Sequence, residues 1–426
     1  MASGRLLPAL KMNELDHELA QRLAALREQG LFRGLRRVDT PQSPRIQIEG
    51  RALLSFSSND YLGLANEPVL KEAAIKAVER FGAGAGASRL ISGSLAPHHE
   101  LEETLTAFKG TPAALSFVTG YAAALGAICA LVGPDDIIIL DKLVHACIVD
   151  AARLSGAKLR VFGHNDVADL ERILRWARDR GPNAEVRSPK PRTLIVTESV
   201  FSMDGDHAPL REIVGLKEQH GAWLMVDEAH ATGLYGANRR GLAEELGVSD
   251  GIEVQMGTLG KALGASGGYI CGSRALIEYL VNCARTFIFS TAPVPAAAAA
   301  ATAGIRFVQS HAGEERRSVL WQRVGELFSP EPGIESGARP SPLPPPPSAL
   351  RSAIIPILLG GEDRAVAAAA ALRDQGLFIP AIRYPTVARG QARLRLTITA
   401  THSQADLARL LAALKSLHIG PHAPTG

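Results

Sequence analysis

Hydrophobic and polar positions along this chain follow two periods. Residues 13–29 repeat apolar positions at helical spacing and stop at Gly30, and residues 67–81 do the same before the glycines of FGAGAGASR. Residues 45–57 predict a short hairpin around Glu49-Gly50. From there, short apolar runs at 113–117, 137–140, 193–196, 223–226, 252–256 and 269–271 read as buried strands. Amphipathic helix-length segments such as 167–180 and 210–220 lie between most of them. Strand and helix in alternation predict a mostly parallel sheet covered on both faces. After the proline-rich stretch SPEPGIESGARPSPLPPPPS (329–348), read as a linker or surface loop, a second pattern begins. It has a strand at 353–359, a helix near 364–375, strands at 377–383 and 393–398, and a last helix, which together make a small α+β unit. The expected organisation is an N-terminal helix and hairpin segment (1–50), a large unit (51–310) and a C-terminal small unit (311–426) containing the proline-rich loop.

Composition narrows the class without changing this layout. A chain of 426 residues is too long for one ordinary core, and 46% hydrophobic with 21% charged residues is typical of globular proteins. A net charge of +3, spread among both signs, leaves no nucleic-acid footprint and no polybasic membrane patch. The four cysteines (Cys129, Cys147, Cys271, Cys283) form neither a CxxC nor a Cys/His cluster, so no metal site and no disulfide framework is expected. With no run of ~18 apolar residues and no apolar leader in MASGRLLPAL, a cytoplasmic location is expected.

The polar residues fall at the strand ends, where parallel α/β sheets bind their ligands. The run at 113–117 leads to Thr119-Gly120-Tyr121, and 137–140 to Asp141 and His145. The next three lead to Glu198-Ser199 and Ser202, to Asp227 and His230, and to Thr258 and Lys261. Any one of these has a plain alternative. Ser202 or Thr258 alone reads equally well as a helix cap, and His145 alone as a structural histidine. The joint arrangement is harder to explain that way. Two glycine-rich stretches carry less: GAGAGA (82–87) has the wrong spacing for a dinucleotide site and reads as a turn or a ligand-side loop. In GTLGKA, Ala262 stands where a P-loop needs Ser/Thr, which excludes nucleotide hydrolysis.

Lys261 sits among glycines, alanine and small hydroxyls with no carboxylate in GTLGKALGAS. Small, uncharged surroundings disfavour an ammonium, as a Schiff-base lysine requires. Pyridoxal phosphate (PLP) unites the set, because it needs such a lysine, a carboxylate at its ring nitrogen, a donor at its phenolic oxygen, a flat group on its ring and donors for its phosphate. Asp227, closing a buried strand, can supply the charge at the ring nitrogen.

The motifs SFSSNDYLGLA, HNDVADL, TESVFSMDGDHAPL, LMVDEAHATG, GTLGKALGASGG, FIFSTA and AIRYPT with ARLRLT span roughly 13–414. Through them the chain resembles the α-oxoamine synthases, PLP-dependent transferases of the aspartate-aminotransferase fold. That resemblance implies a large α/β PLP domain, a small α+β domain, and a homodimer with shared active sites. It implies that Lys261 forms the Schiff base and takes the α-proton, and that Asp227 pairs with the pyridine nitrogen. His230 and Ser202 would lie at the phenolic oxygen, with His145 stacked on the ring. Gly120 and Tyr121 amides and the Thr258 hydroxyl would hold the phosphate, joined by Thr291 from the partner subunit. Arg395, helped by Asn59, would bind the amino-acid carboxylate. Arg33 and Thr386 would meet the acyl substrate, with Arg36 and Arg37 as near alternatives to Arg33. The expected substrates are L-alanine and a pimeloyl thioester, of coenzyme A or of acyl-carrier protein, whose far carboxylate Arg383 could meet unless Arg383 is a surface ion-pair residue. Glycine with acetyl-CoA is the alternative within the family, and a non-catalytic PLP-fold interaction protein the alternative outside it.

Overall fold

The computed structural model describes residues 13–179, 191–328 and 351–419, so the proline-rich stretch at 329–348 lies outside the described residues. The apolar runs form strands β1 (Arg45–Ile48), β2 (Arg51–Ser55), β3 (Ala113–Phe117), β4 (Ile137–Asp141), β5 (Lys158–Phe162), β6 (Thr193–Glu198) and β7 (Trp223–Asp227). They continue with β8 (Val254–Thr258), β9 (Gly268–Gly272), β10 (Ile354–Gly360), β11 (Leu377–Phe378), β12 (Ala381–Ile382) and β13 (Ala392–Thr397).

The central sheet has seven strands in the order β3-β9-β8-β7-β6-β4-β5. Six point the same way, and β9 runs antiparallel between β3 and β8. Alternation along each strand feeds two cores. Ile137, Ile139, Ile195, Leu224 and Val226 pack on one face, and Ile138, Leu140, Leu194, Val196 and Met225 on the other. Fully apolar strands such as IIIL are therefore what a sheet covered on both faces requires.

Three features depart from the sequence pattern. The buried run at 269–271 is a strand, but β9 opposes its neighbours. The helix Ala96–Lys109 starts with Pro97 in its first turn, where a missing N–H costs nothing, and buries Leu101, Leu105 and Phe108. The single strand expected at 377–383 is split. β11 pairs with β2 and β12 with β13, and Pro380, which has no N–H to donate, lies between them.

The C-terminal unit is the antiparallel sheet β10-β13-β12, with β13 buried along its whole length. The β1-β2 hairpin adds to β11, so the first hairpin joins the C-terminal part of the chain across the boundary expected at residue 50. This pairing brings Asn59 and Tyr61, just after β2, toward the ends of the central strands.

Candidate active site

The six parallel strands end at one edge, and each hands a polar group to it. After β3 comes the helix Gly120–Leu131, capped by Thr119, whose Oγ1 accepts from Ala122 N at 3.0 Å. β9 passes close beneath this turn: a Cβ on Gly268 would stand 2.6 Å from Gly120 Cα and from Thr119 O, so only glycine fits there. Thr258, at the end of β8, holds Gly260 N at 3.2 Å and Gly267 O at 3.0 Å through its hydroxyl. A Cβ on Gly120 would sit 3.8 Å from Thr258 Cβ, so the helix start and this hydroxyl are neighbours. The first amides of a helix have no intrahelical partner and make an anion site, and the neighbouring Thr258 hydroxyl, which here donates to Gly267 O, could join them by turning its proton to the anion. Tyr121 donates to Asp150 Oδ2 at 2.8 Å and leaves its ring half exposed.

Lys261 Nζ lies 2.8 Å from His230 Nε2, and His230 Nδ1 lies 2.6 Å from the Tyr61 hydroxyl. Tyr61 in turn donates to Asn59 Oδ1 at 3.5 Å. Burial, then the nearby Lys261 and Arg395 charges, hold His230 well below its usual pKa, so it is neutral with one ring proton. The 2.6 Å contact commits Nδ1 to the Tyr61 hydroxyl and leaves Nε2 facing Lys261 and the centre of the site. Burial also lowers the Lys261 pKa, opposed by the Asp227 and Glu198 carboxylates. The amine is thereby brought toward the neutral form that a nucleophile or base requires.

Asp227 and Glu198 close adjacent strands in register. Asp227 is buried and accepts from Ala229 N at 2.8 Å. Burial raises its pKa, while Lys261 and that amide pull it down. Glu198 is pushed well above the carboxylate range by burial and then by Asp227, against the pull of Lys261 and of the His145 and Ser202 amides. Its Oε1 is buried with no partner. His145 caps the helix Ala146–Ser155 and accepts from Cys147 N at Nδ1, 3.3 Å away. That fixes the remaining ring proton on Nε2.

Arg395, 5% exposed on β13, donates Nε to Ser202 O at 2.6 Å and Nη1 to Thr397 Oγ1 at 2.9 Å. Its Nη2 is buried without a partner. A buried guanidinium with one nitrogen left over is a receptor for an anion. Arg33, Arg383 and Thr386 form a separate group. Arg33 donates to Tyr384 O at 3.3 Å, Arg383 donates to Phe32 O at 2.7 Å, and Thr386 N bonds Arg383 O at 3.0 Å. Among the described residues none of the three bonds to the Lys261 cluster. Thr291 is exposed and bridges Ser88, so FIFSTA is held by the segment that follows GAGAGA in its own chain.

Sequence reasoning missed Tyr61 altogether and gave Glu198 no role. Tyr61 meets His230 across 169 positions, which no local pattern reports. Glu198 carried a usable signal, since it ends β6 as Asp227 ends β7.

The donor set fits PLP: an anion site, a buried carboxylate, an amine whose charged form burial disfavours, and two buried polar atoms of the site, Glu198 Oε1 and Arg395 Nη2, left unpaired. Residues 51–414 match the aminotransferase class I and II family. The chain is 47% identical over 400 residues to the 8-amino-7-oxononanoate synthase of Geotalea daltonii, covering 94% of this chain and 97% of that one. It is 46% identical over 403 residues to that of Geobacter sulfurreducens, covering 94% and 97%. Among solved structures it is similar to serine palmitoyltransferase from S. paucimobilis with bound PLP–myriocin aldimine (TM-score 0.81, 30% identity, 96% and 100% covered). It is also similar to 8-amino-7-oxononanoate synthase from Francisella tularensis (TM-score 0.67, 26% identity, 86% and 99% covered). The chain belongs to the aminotransferase class I and II family of PLP-dependent enzymes.

Proposed function

We propose that this enzyme condenses L-alanine with a pimeloyl thioester and releases CO2 and free thiol, giving 8-amino-7-oxononanoate for biotin synthesis. The observation that carries the chemistry is Lys261 Nζ, 2.8 Å from a neutral His230, with its ammonium form disfavoured by burial. Bound PLP supplies a sink for the electrons left on the alanine Cα when a proton or CO2 departs. The residues do the rest. Gly120 and Tyr121 amides with the Thr258 hydroxyl hold the phosphate, Asp227 keeps the ring nitrogen charged, and His145 lies on the ring. Ser202 and His230 hold the phenolic oxygen. Arg395 Nη2, helped by Asn59, takes the alanine carboxylate. Lys261 then receives the α-proton and returns a proton to the same carbon after decarboxylation, with His230 as its hydrogen-bond partner throughout.

For the acyl end, a pimeloyl chain carries a second carboxylate that needs a cation once it leaves water. Arg33 and Arg383 each spend one bond on the other's segment and have further N–H groups for it, next to Thr386. The assembly we propose is a homodimer with shared sites, in which Thr291 serves the partner's phosphate. Leu90, Ile91, Phe289 and Val294 flank the Ser88–Thr291 bridge and are exposed apolar residues that a second copy would cover. We place the N-terminal segment at 1–50, the large domain at 51–310 and the small domain at 311–426, with β2 of the large-domain range pairing to β11 of the small one, and the enzyme in the cytoplasm. Among the described residues no helix is long and apolar enough to cross a membrane.

The test compares kcat/KM for alanine with pimeloyl-CoA or the acyl-carrier-protein thioester against glycine with acetyl-CoA. The pimeloyl pair should win by at least ~100-fold, about the effect of one charged contact. A preference for glycine and acetyl-CoA would overturn the substrate assignment.

A further inference from the structure

The HNDVADL stretch follows β5, and nothing in the reaction so far uses it. His164, its first residue, is bonded on both ring nitrogens by carboxylates: Nδ1 to Asp141 Oδ1 at 2.9 Å and Nε2 to Asp206 Oδ2 at 2.7 Å. The three come from three places in the fold. Asp141 is the last residue of β4, four positions before His145. Asp206 closes the tight loop that begins at Phe201, in which Phe201 N bonds Asp206 O at 3.0 Å and Gly205 N bonds Phe201 O at 2.9 Å. Ser202 belongs to that loop.

Each end of the bridge is itself fixed. Asp141 accepts from Leu143 N at 2.8 Å and Asn165 N at 2.9 Å. Asp206 accepts from Asn165 Nδ2 at 3.1 Å. The Phe201 ring meets His164 edge-on at 4.4 Å. On its far side the loop is gripped by the small unit. Arg395 holds Ser202 O, Arg393 holds Met203 O and Asp204, and a Cβ on Gly205 would stand 2.2 Å from Ile354 O. The Ser202 loop is thus pinned between the small unit and the end of β4, to which His164 ties it together with Asn165, while Glu198 accepts from the His145 and Ser202 amides on the sheet side.

We propose that His164 is a positioning residue for the cofactor site, setting the spacing between the His145 turn and the Ser202 loop by bridging Asp141 and Asp206. This rests on the PLP reading of the site. A neutral imidazole has one N–H and could donate to only one of two carboxylates. The geometry therefore calls for a second proton, and the surroundings supply the reason to keep it. Burial works against the charge, but the bonds and charges of Asp141 and Asp206 outweigh it and raise the His164 pKa to about 10. Because the folded pKa lies above the unfolded one, the bridge is complete at neutral pH and is lost as pH rises through about 10. The charged groups bonded to the ring are these two carboxylates, with Asn165 Nδ2 3.3 Å from Nε2, the Phe201 ring edge-on, and part of the imidazole open to solvent.

The experiment measures the PLP dissociation constant of the full-length protein by equilibrium dialysis from pH 7 to 11, for wild type and His164→Gln. For wild type it should rise about tenfold or more above pH 9. In His164→Gln it should already be about tenfold higher at pH 7.5 and stay flat over the alkaline range, with the alanine KM raised more than kcat is lowered. A dissociation constant within twofold of wild type, or an unchanged alkaline rise, would overturn the proposal. Asp206→Asn is the second variant, for use also if His164→Gln does not fold. It keeps both hydrogen bonds with a neutral imidazole, so affinity at pH 7.5 should stay within threefold and the alkaline rise should disappear. A rise that stays in place overturns the assignment. Wild-type protein that binds no PLP would refute the cofactor reading, a result distinct from either outcome for His164.

Discussion

Arg395→Lys tests the assignment of the amino-acid site, because the structure says how much of the side chain is committed. Two of three guanidinium nitrogens are spent, on Ser202 O at 2.6 Å and Thr397 Oγ1 at 2.9 Å, and Nη2 is buried and unpaired. Lysine keeps the charge on β13 but has one nitrogen, which cannot hold Ser202 O and a carboxylate in the same fork. The variant therefore loses about one charged hydrogen bond to the substrate, worth ~1.5–3 kcal/mol. At ~1.4 kcal/mol per tenfold, kcat/KM for alanine should fall by roughly 10- to 150-fold. The assay varies alanine at saturating thioester and follows thiol release, with the thioester KM as the internal control. That KM should stay within about threefold, since Arg33, Arg383 and Thr386 form a separate group. If kcat/KM for alanine stayed within twofold in a variant that melts like wild type, the unpaired Nη2 would not be the carboxylate receptor.

Two further expectations concern the buried charges beside the site. Asp227→Asn keeps an oxygen that can accept from Ala229 N, so the fold should survive; exchange of the alanine α-proton with deuterated water should slow by about 100-fold or more, the scale of losing one preorganised electrostatic contact, and near-normal exchange would mean Asp227 is only a cap. Lys109 and Glu228 form an ion pair at 2.6 Å with both side chains 1% exposed, so Lys109→Met should strand the Glu228 charge at a cost of ~3–5 kcal/mol. At about 2.1 cal/mol/K per residue, this lowers Tm by roughly 3–6 °C for a chain of this length. Lys109→Met with Glu228→Gln should recover most of that loss, and a single variant melting at the wild-type temperature would refute it.

What the sequence disclosed was local. Thr258, Lys261, Asp227 and His230 each follow an apolar run by a few residues, so reading the runs to their ends gathered them at one edge. The antiparallel direction of β9 was not legible, because a strand buried on both faces is equally apolar either way. β5 was missed for a physical reason: it is an edge strand with its faces largely open, and of KLRVF only Phe162 is buried, so it lacks the apolar run that marked the other strands. The Tyr61 contact behind His230 and the reciprocal bonds of Arg33 and Arg383 span 169 and 351 positions, so only the folded chain reveals them. Burial did the rest of the tuning, since the shifts at Lys261, Asp227 and Glu198 all begin with desolvation that residue identity cannot report.

The most direct test of the central claim, that Lys261 is both the cofactor's lysine and the base, is Lys261→Ala in purified protein supplied with PLP. The account predicts loss of the near-visible absorption of the lysine-bound cofactor, retention of PLP by the remaining contacts, and loss of α-proton exchange from alanine. A variant with the wild-type spectrum and wild-type exchange would contradict it.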